Sequence, residues 1–184
     1  MNRNLSVIWF HWLTATLVVA SFAIAWIRND VEDLALRAFW LDVHRTIGFA
    51  VLGLTIIRLA SRLRTGPLVY RAQIPPLMRL VSRTVHFLIY ALLIAMPLLG
   101  WAQSSARARH FNLFGISLPA IVGHNRDNAE LWGWWHKQVG WALFALILLH
   151  VAARSITIMS AATMSSAPCC RVTGSAESAR RASL

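Results

Sequence analysis

Residues 136–150 read HKQVGWALFALILLH, and this stretch decides the architecture. Between its two histidines only Lys137 is charged. A separation of 14 residues corresponds on an α-helix to about 21 Å of rise and an angular offset of about 40°. His136 and His150 therefore share one helix face and fall near opposite surfaces of any bilayer the helix crosses.

Three further stretches resemble it in apolarity. Residues 7–27 contain no charged side chain, residues 46–57 are closed by Arg45 and Arg58, and residues 85–104 carry Pro97 and Gly100. A helix crosses the hydrocarbon with about 20 predominantly apolar residues, and membrane helices tolerate such kink residues. The expected fold is all-α, an integral membrane four-helix bundle within residues 1–158, with spans near 7–27, 44–63, 84–104 and 131–155. The first stretch exceeds the 7–15 residues of a signal-peptide core, so it is expected to stay as a span. Residues 159–184 turn to Ser, Ala, Arg and Thr and are expected to form a disordered cytoplasmic tail. Pro67, Pro75 and Pro76 predict an irregular connection between Arg64 and Arg83, whereas the connection of residues 104–130 is long enough to suggest a function.

Composition agrees. The 184 residues are 57% hydrophobic and 14% charged, which excludes whole-chain disorder. Two cysteines are too few for a disulfide scaffold, and Cys169 and Cys170 in the tail receive no role. The net charge of +11 would suggest nucleic acid in a soluble protein. Here the charges punctuate apolar runs, so they report topology and no nucleic-acid partner is expected. Arg3, Arg58, Arg62, Arg64, Arg71, Arg79, Arg83, Arg154, Arg171, Arg180 and Arg181 share one side with Glu177. Arg28, Arg37, Arg45, Arg107, Arg109, Arg126 and Lys137 face the other with six acids. The balance is +10 against +1, which predicts that both termini are cytoplasmic.

Ionisable groups inside spans are costly and are functional candidates by default. His11, His86 and His150 fall near the cytoplasmic side, and His44 and His136 near the opposite, outer side. By depth, His136 can pair with His44 and His150 with His11, as stacked ligand pairs within a bundle. Zinc wants three or four protein ligands, often thiolate or carboxylate, whereas haem b needs only two axial imidazoles and apolar walls. No Cys-x-x-Cys-His occurs, which argues against covalently attached haem. Arg45 and Lys137 are candidate propionate partners for the outer pair, and Arg58 and Arg154 for the inner one. Gly48 and Gly140, one turn after His44 and His136, either admit a porphyrin to the backbone or serve helix packing. His86 is a candidate for quinone binding or proton transfer, or else an ordinary hydrogen-bonded residue. His110 and His124 read as ordinary loop residues, and the tryptophans near span ends as an interfacial belt.

These residues resemble the bacterial cytochrome b561 family, four-helix inner-membrane cytochromes with two non-covalent b haems. The matching pieces are residues 8–12 (IWFHW), 43–48 (VHRTIG), Arg58-Leu59, 86–90 (HFLIY), 97–100 (PLLG), Phe114-Gly115 with Pro119, Trp135-His136 and His150. The resemblance covers roughly residues 6–154. It implies axial pairs His11 with His150 and His44 with His136, and relatives that oxidise periplasmic superoxide and reduce ubiquinone. Other relatives serve as cytochrome b subunits of separate dehydrogenases. The tail lies outside the resemblance, and Thr157 stands where a related oxidase has a further histidine near its quinone. The expected function is electron transfer from a periplasmic donor, with superoxide drawn by Arg45, Lys137, Arg107, Arg109 and Arg126, to ubiquinone. The alternatives are a haem-bearing anchor that docks a redox partner protein on residues 111–122, and a haem-free membrane protein whose histidines are merely interfacial.

Overall fold

The computed structural model describes residues 3–65, 76–109, 112–113 and 116–165. Its elements are α1 (Arg3–Asp30), α2 (Leu34–Thr65), α3 (Pro76–Ala106), β1 (Asn112–Leu113), β2 (Ile116–Ser117) and α4 (Arg126–Ser165). All four helices are long and apolar enough to cross a bilayer, over Val7–Asp30, Leu34–Arg64, Pro76–Ala106 and Arg126–Ser155. The chain divides into two compact units, Met1–Ile147 and Leu148–Leu184.

Helices extend beyond the expected spans because their starts are set by caps, which hydropathy does not register. α2 begins at Leu34, where the Leu36 amide donates to Asp33 Oδ1 at 2.7 Å, a side-chain N-cap. α4 begins at Arg126, where the Asn128 amide donates to Asn125 Oδ1 at 3.0 Å. α3 begins at Pro76, within the connection expected to be irregular; proline suits the first helical position because its missing N–H has no partner there anyway. Arg62 and Arg64 in the last turn of α2 and Asp127 in the first turn of α4 complement the helix dipoles. Pro67, Pro75, His110, Phe111, Phe114, Gly115, Cys169 and Cys170 lie outside the described residues, as does the tail from 166 onward.

Within the first unit α1 packs on α2 and α2 on α3. The buried centre takes one residue from each helix: Val18, Val51, Leu93 and Leu143, surrounded by Leu17, Phe22, Ile47, Ile89, Leu92, Met96 and Ile147. Phe144 of α4 reaches Phe22 and Trp26 of α1 at ring-centroid distances of 5.5 and 5.8 Å. Large apolar side chains such as Val19, Ile56, Phe87 and Trp141 remain exposed, as expected where the solvent is lipid and helix association relies on close packing. Trp9 and Trp12 lie exposed toward one end of α1 and Trp26 toward the other, about 25 Å apart along the axis, which suits an aromatic belt at each interface. Thr14, Thr46, Ser61 and Ser104 each donate their hydroxyl to the carbonyl four residues earlier, whereas the buried Thr55 hydroxyl makes no hydrogen bond among the described residues.

The outer connection is strapped to the end of α3. Trp101 Nε1 donates to the Pro119 carbonyl at 3.1 Å, His124 Nδ1 to the Ala106 carbonyl at 2.9 Å, and the Asn125 amide to the same carbonyl at 3.1 Å. β1 and β2 pair antiparallel within this connection. Ala108 adopts a φ of 52°, while the Ala108 amide bonds Ser105 O and the Arg109 amide bonds Ser104 O. This is a Schellman ending, with alanine in the left-handed position usually taken by glycine. Left-handed backbone costs a residue with a Cβ about 1–2 kcal/mol, against a smaller entropic penalty for glycine. Ala108→Gly is therefore expected to stabilise the protein by about 0.5–1 kcal/mol, read as a higher Tm in detergent; an unchanged or lower Tm would show the turn to be unstrained.

Candidate functional site

Two of the histidines form the best-defined polar constellation in the first unit. His44, on α2, places Nδ1 3.1 Å from the Ser21 carbonyl of α1 and 3.2 Å from the Ser21 hydroxyl. His136, on α4, places Nδ1 3.0 Å from the Met96 carbonyl of α3. A carbonyl only accepts, so each ring carries its proton on Nδ1, which in the neutral imidazole leaves the Nε2 lone pair able to ligate. This is the outer-shell arrangement of metal-bound histidines, in which a hydrogen bond at one nitrogen fixes ring orientation and tautomer for the other.

The two ring centroids are 6.2 Å apart, with planes inclined at 75°. Two imidazoles on opposite sides of one metal, with bonds of about 2 Å each, would have centroids roughly 6 Å apart. Among the described residues no group of three or more His, Cys, Asp or Glu gathers for a metal ion. A pair of imidazoles at this spacing suits an iron whose other four positions come from a macrocycle. A Cβ at Gly48 would have nothing within 4 Å, whereas one at Gly140 would meet the Met96 side chain at 3.4 Å. Of the two glycines read as porphyrin clearance or helix packing, Gly140 takes the packing role and Gly48 faces open space.

Near the same end, Arg28, Leu41, Arg45, Gln103, Ser104, Arg107 and Arg109 line a cavity of about 80 Å³. Arg45 is paired with Asp42 at 3.0 Å. Arg28 Nε is buried and makes no hydrogen bond among the described residues. Lys137 is exposed and does not line this cavity. Sequence reasoning named Arg45, Arg107 and Arg109 but passed over Arg28, whose only signal was a lone cation in the last turn of α1.

The other end differs. His11 is half-buried, and its Nδ1 accepts from the Arg58 guanidinium at 3.1 Å. Arg58 also lies over the Tyr90 ring, 5.7 Å from its centroid. A guanidinium only donates, so this contact puts the neutral ring's proton on Nε2, opposite to His44 and His136. His86 donates from Nδ1 to the Ser82 carbonyl one turn back, at 2.5 Å. His150 and Arg154 belong to the second unit, where His150 is half-buried and Arg154 exposed.

A sequence profile of the prokaryotic cytochrome b561 family matches residues 2–157. Cytochrome b561 homolog 2 of Escherichia coli is 27% identical over 147 residues, covering 77% of this chain and 76% of the relative. The probable superoxide oxidase CybB of Yersinia pestis is 30% identical over 148 residues, covering 78% and 81%. Paired geometry makes the outer site testable by subtraction. His44→Ala and His136→Ala are each expected to lower the haem content read by a pyridine haemochrome assay and to remove the same low-spin ferric EPR signal. Loss of different haems from the two variants would break the pair.

Proposed function

The chain is a member of the prokaryotic cytochrome b561 family, a multi-pass membrane b-type cytochrome of electron transfer, and on that premise we propose that it takes electrons from a small periplasmic donor and delivers them to ubiquinone. Two b haems, held by His44 with His136 and by His11 with His150, would supply one-electron transfer between the two faces of the bacterial inner membrane. The observation that carries this reading is the outer imidazole pair, 6.2 Å between centroids, with both Nδ1 atoms committed to main-chain carbonyls. The excess of arginine on the side of the termini supports a cytoplasmic location for both.

Superoxide is the donor that fits best. One relative is named a probable superoxide oxidase, and four arginines line the outer cavity, so a small anion is drawn there. Two superoxide anions become two dioxygen molecules, and their two electrons with two protons convert one ubiquinone to ubiquinol. Arg45 and Lys137 are assigned to the outer propionates, and Arg28, reaching the same cavity as Arg45, joins them. At the inner site Arg58 and Arg154 take that role. A haem propionate would draw Arg58 off His11, whose proton could then sit on Nδ1 and leave Nε2 to ligate. His86, its Nδ1 held by Ser82, is the residue to pass protons to the quinone through Nε2. The hairpin of β1 and β2 on the outer connection favours a second reading, a cytochrome anchor that docks a dehydrogenase partner there.

Purified protein given ubiquinone and an enzymatic superoxide source is expected to form ubiquinol well above the uncatalysed rate. A rate equal to background would favour the anchor reading. Arg107→Gln combined with Arg109→Gln is expected to lower that rate about threefold at low ionic strength and to flatten its salt dependence. An unaltered salt dependence would mean that the anion enters elsewhere.

A further inference from the structure

A helix-interior glycine costs about 1 kcal/mol relative to alanine, so one inside α3, less than two turns before its end, calls for a compensating contact. Gly100 has one. A Cβ built there would stand 3.2 Å from Cε1 and 3.4 Å from Nδ1 of His136, which means the imidazole lies directly on the α3 backbone. That approach is what brings Nδ1 within 3.0 Å of the Met96 carbonyl, one turn earlier on the same helix. The contact is reciprocal. Gly140, one turn after His136 on α4, has the Met96 methyl and sulfur 3.4 and 3.9 Å from its own Cβ position. The two approaches differ in tightness: His136 crowds the Cβ position of Gly100 at 3.2 Å, whereas Met96 stands at ordinary van der Waals distance from that of Gly140. Met96 acts twice, its carbonyl holding Nδ1 and its thioether filling the opposite notch.

We infer that Gly100 is a positioning residue for the outer iron ligand: together with Met96 and Gly140 it sets the depth, orientation and tautomer of His136. This rests on reading His44 and His136 as an axial pair. The physical reason is clearance. Carbon atoms pack comfortably at about 3.5–4.0 Å, so a methyl group at residue 100 pushes the ring away by several tenths of an ångström. The 3.0 Å hydrogen bond then approaches the 3.6 Å at which an interaction no longer counts as one. The ring would have little freedom to slide without loss, because on its other side it would still have to meet an iron shared with His44. Disturbing such an outer-shell hydrogen bond typically weakens metal binding by 10–100-fold.

The test compares wild type, Gly100→Ala, Gly100→Val, His136→Ala and the control Gly53→Ala, since a Cβ at Gly53 meets nothing within 4 Å. Three properties are read on the full chain in detergent: transfer of haem to a scavenging apoglobin, the low-spin ferric EPR signals, and thermal stability. Gly100→Ala is expected to release one haem about tenfold faster and to shift the EPR signal of that haem alone, with Tm near wild type. Gly100→Val is expected to lose that haem, the one also missing from His136→Ala. Gly53→Ala is expected to match wild type. If His136→Ala loses a haem while Gly100→Ala matches wild type in release and EPR, the inference falls and the axial reading stands. If Gly100→Ala disturbs both haems equally with a lowered Tm, glycine serves general packing and the inference also falls. If His136→Ala retains two haems, the axial reading itself is overturned.

Discussion

The outer site depends on one kind of bond, an imidazole N–H given to a main-chain carbonyl of a neighbouring helix. An apolar interior makes an unpaired polar group expensive, so a buried ring must find a partner, and helical carbonyls are the commonest acceptors available. Each already accepts one intrahelical bond and has a second lone pair to offer. His44 on α2 uses Ser21 of α1, and His136 on α4 uses Met96 of α3. The two bonds therefore do more than orient rings, since each ties one helix to another at the depth where the rings face each other. Position of the pair is inherited from helix packing, with no flexible side chain intervening.

The contrast with His11 is electrostatic. There the partner is a guanidinium, which imposes the opposite tautomer and can be redirected by any carboxylate that competes for it. His11 is thus held by a charge on a long stem, whereas His44, His136 and, at its own end, His86 are held by main-chain dipoles. A fixed dipole cannot be drawn away by an incoming anion, whereas Arg58 can be.

Much of this was legible in the chain. Apolar runs and the His136–His150 spacing gave four helices and two depths, and the pairing of His44 with His136 follows from depth alone. Hydropathy outlined apolar spans but not where α2 and α3 begin, because Asp33 and Pro76 act through capping and backbone geometry. The partners of the rings were invisible for a simpler reason. Ser21 and Met96 contribute carbonyls, which every residue possesses, so side-chain identity carries no trace of the role. Gly100 could be read only as a kink residue until its opposite number on α4 was known. Arg28 showed itself only when helix ends brought it beside Arg45, Arg107 and Arg109.

The ties between the outer connection and α3 have a mechanical consequence. Trp101, Ser105 and Ala106 receive the loop through Pro119, Ile121, His124 and Asn125, and they sit within two turns of Gly100. Traction on the hairpin is thereby passed to the same rod that cradles the imidazole. A protein gripping that loop would have a handle on the placement of the His136 ring without touching the ring itself.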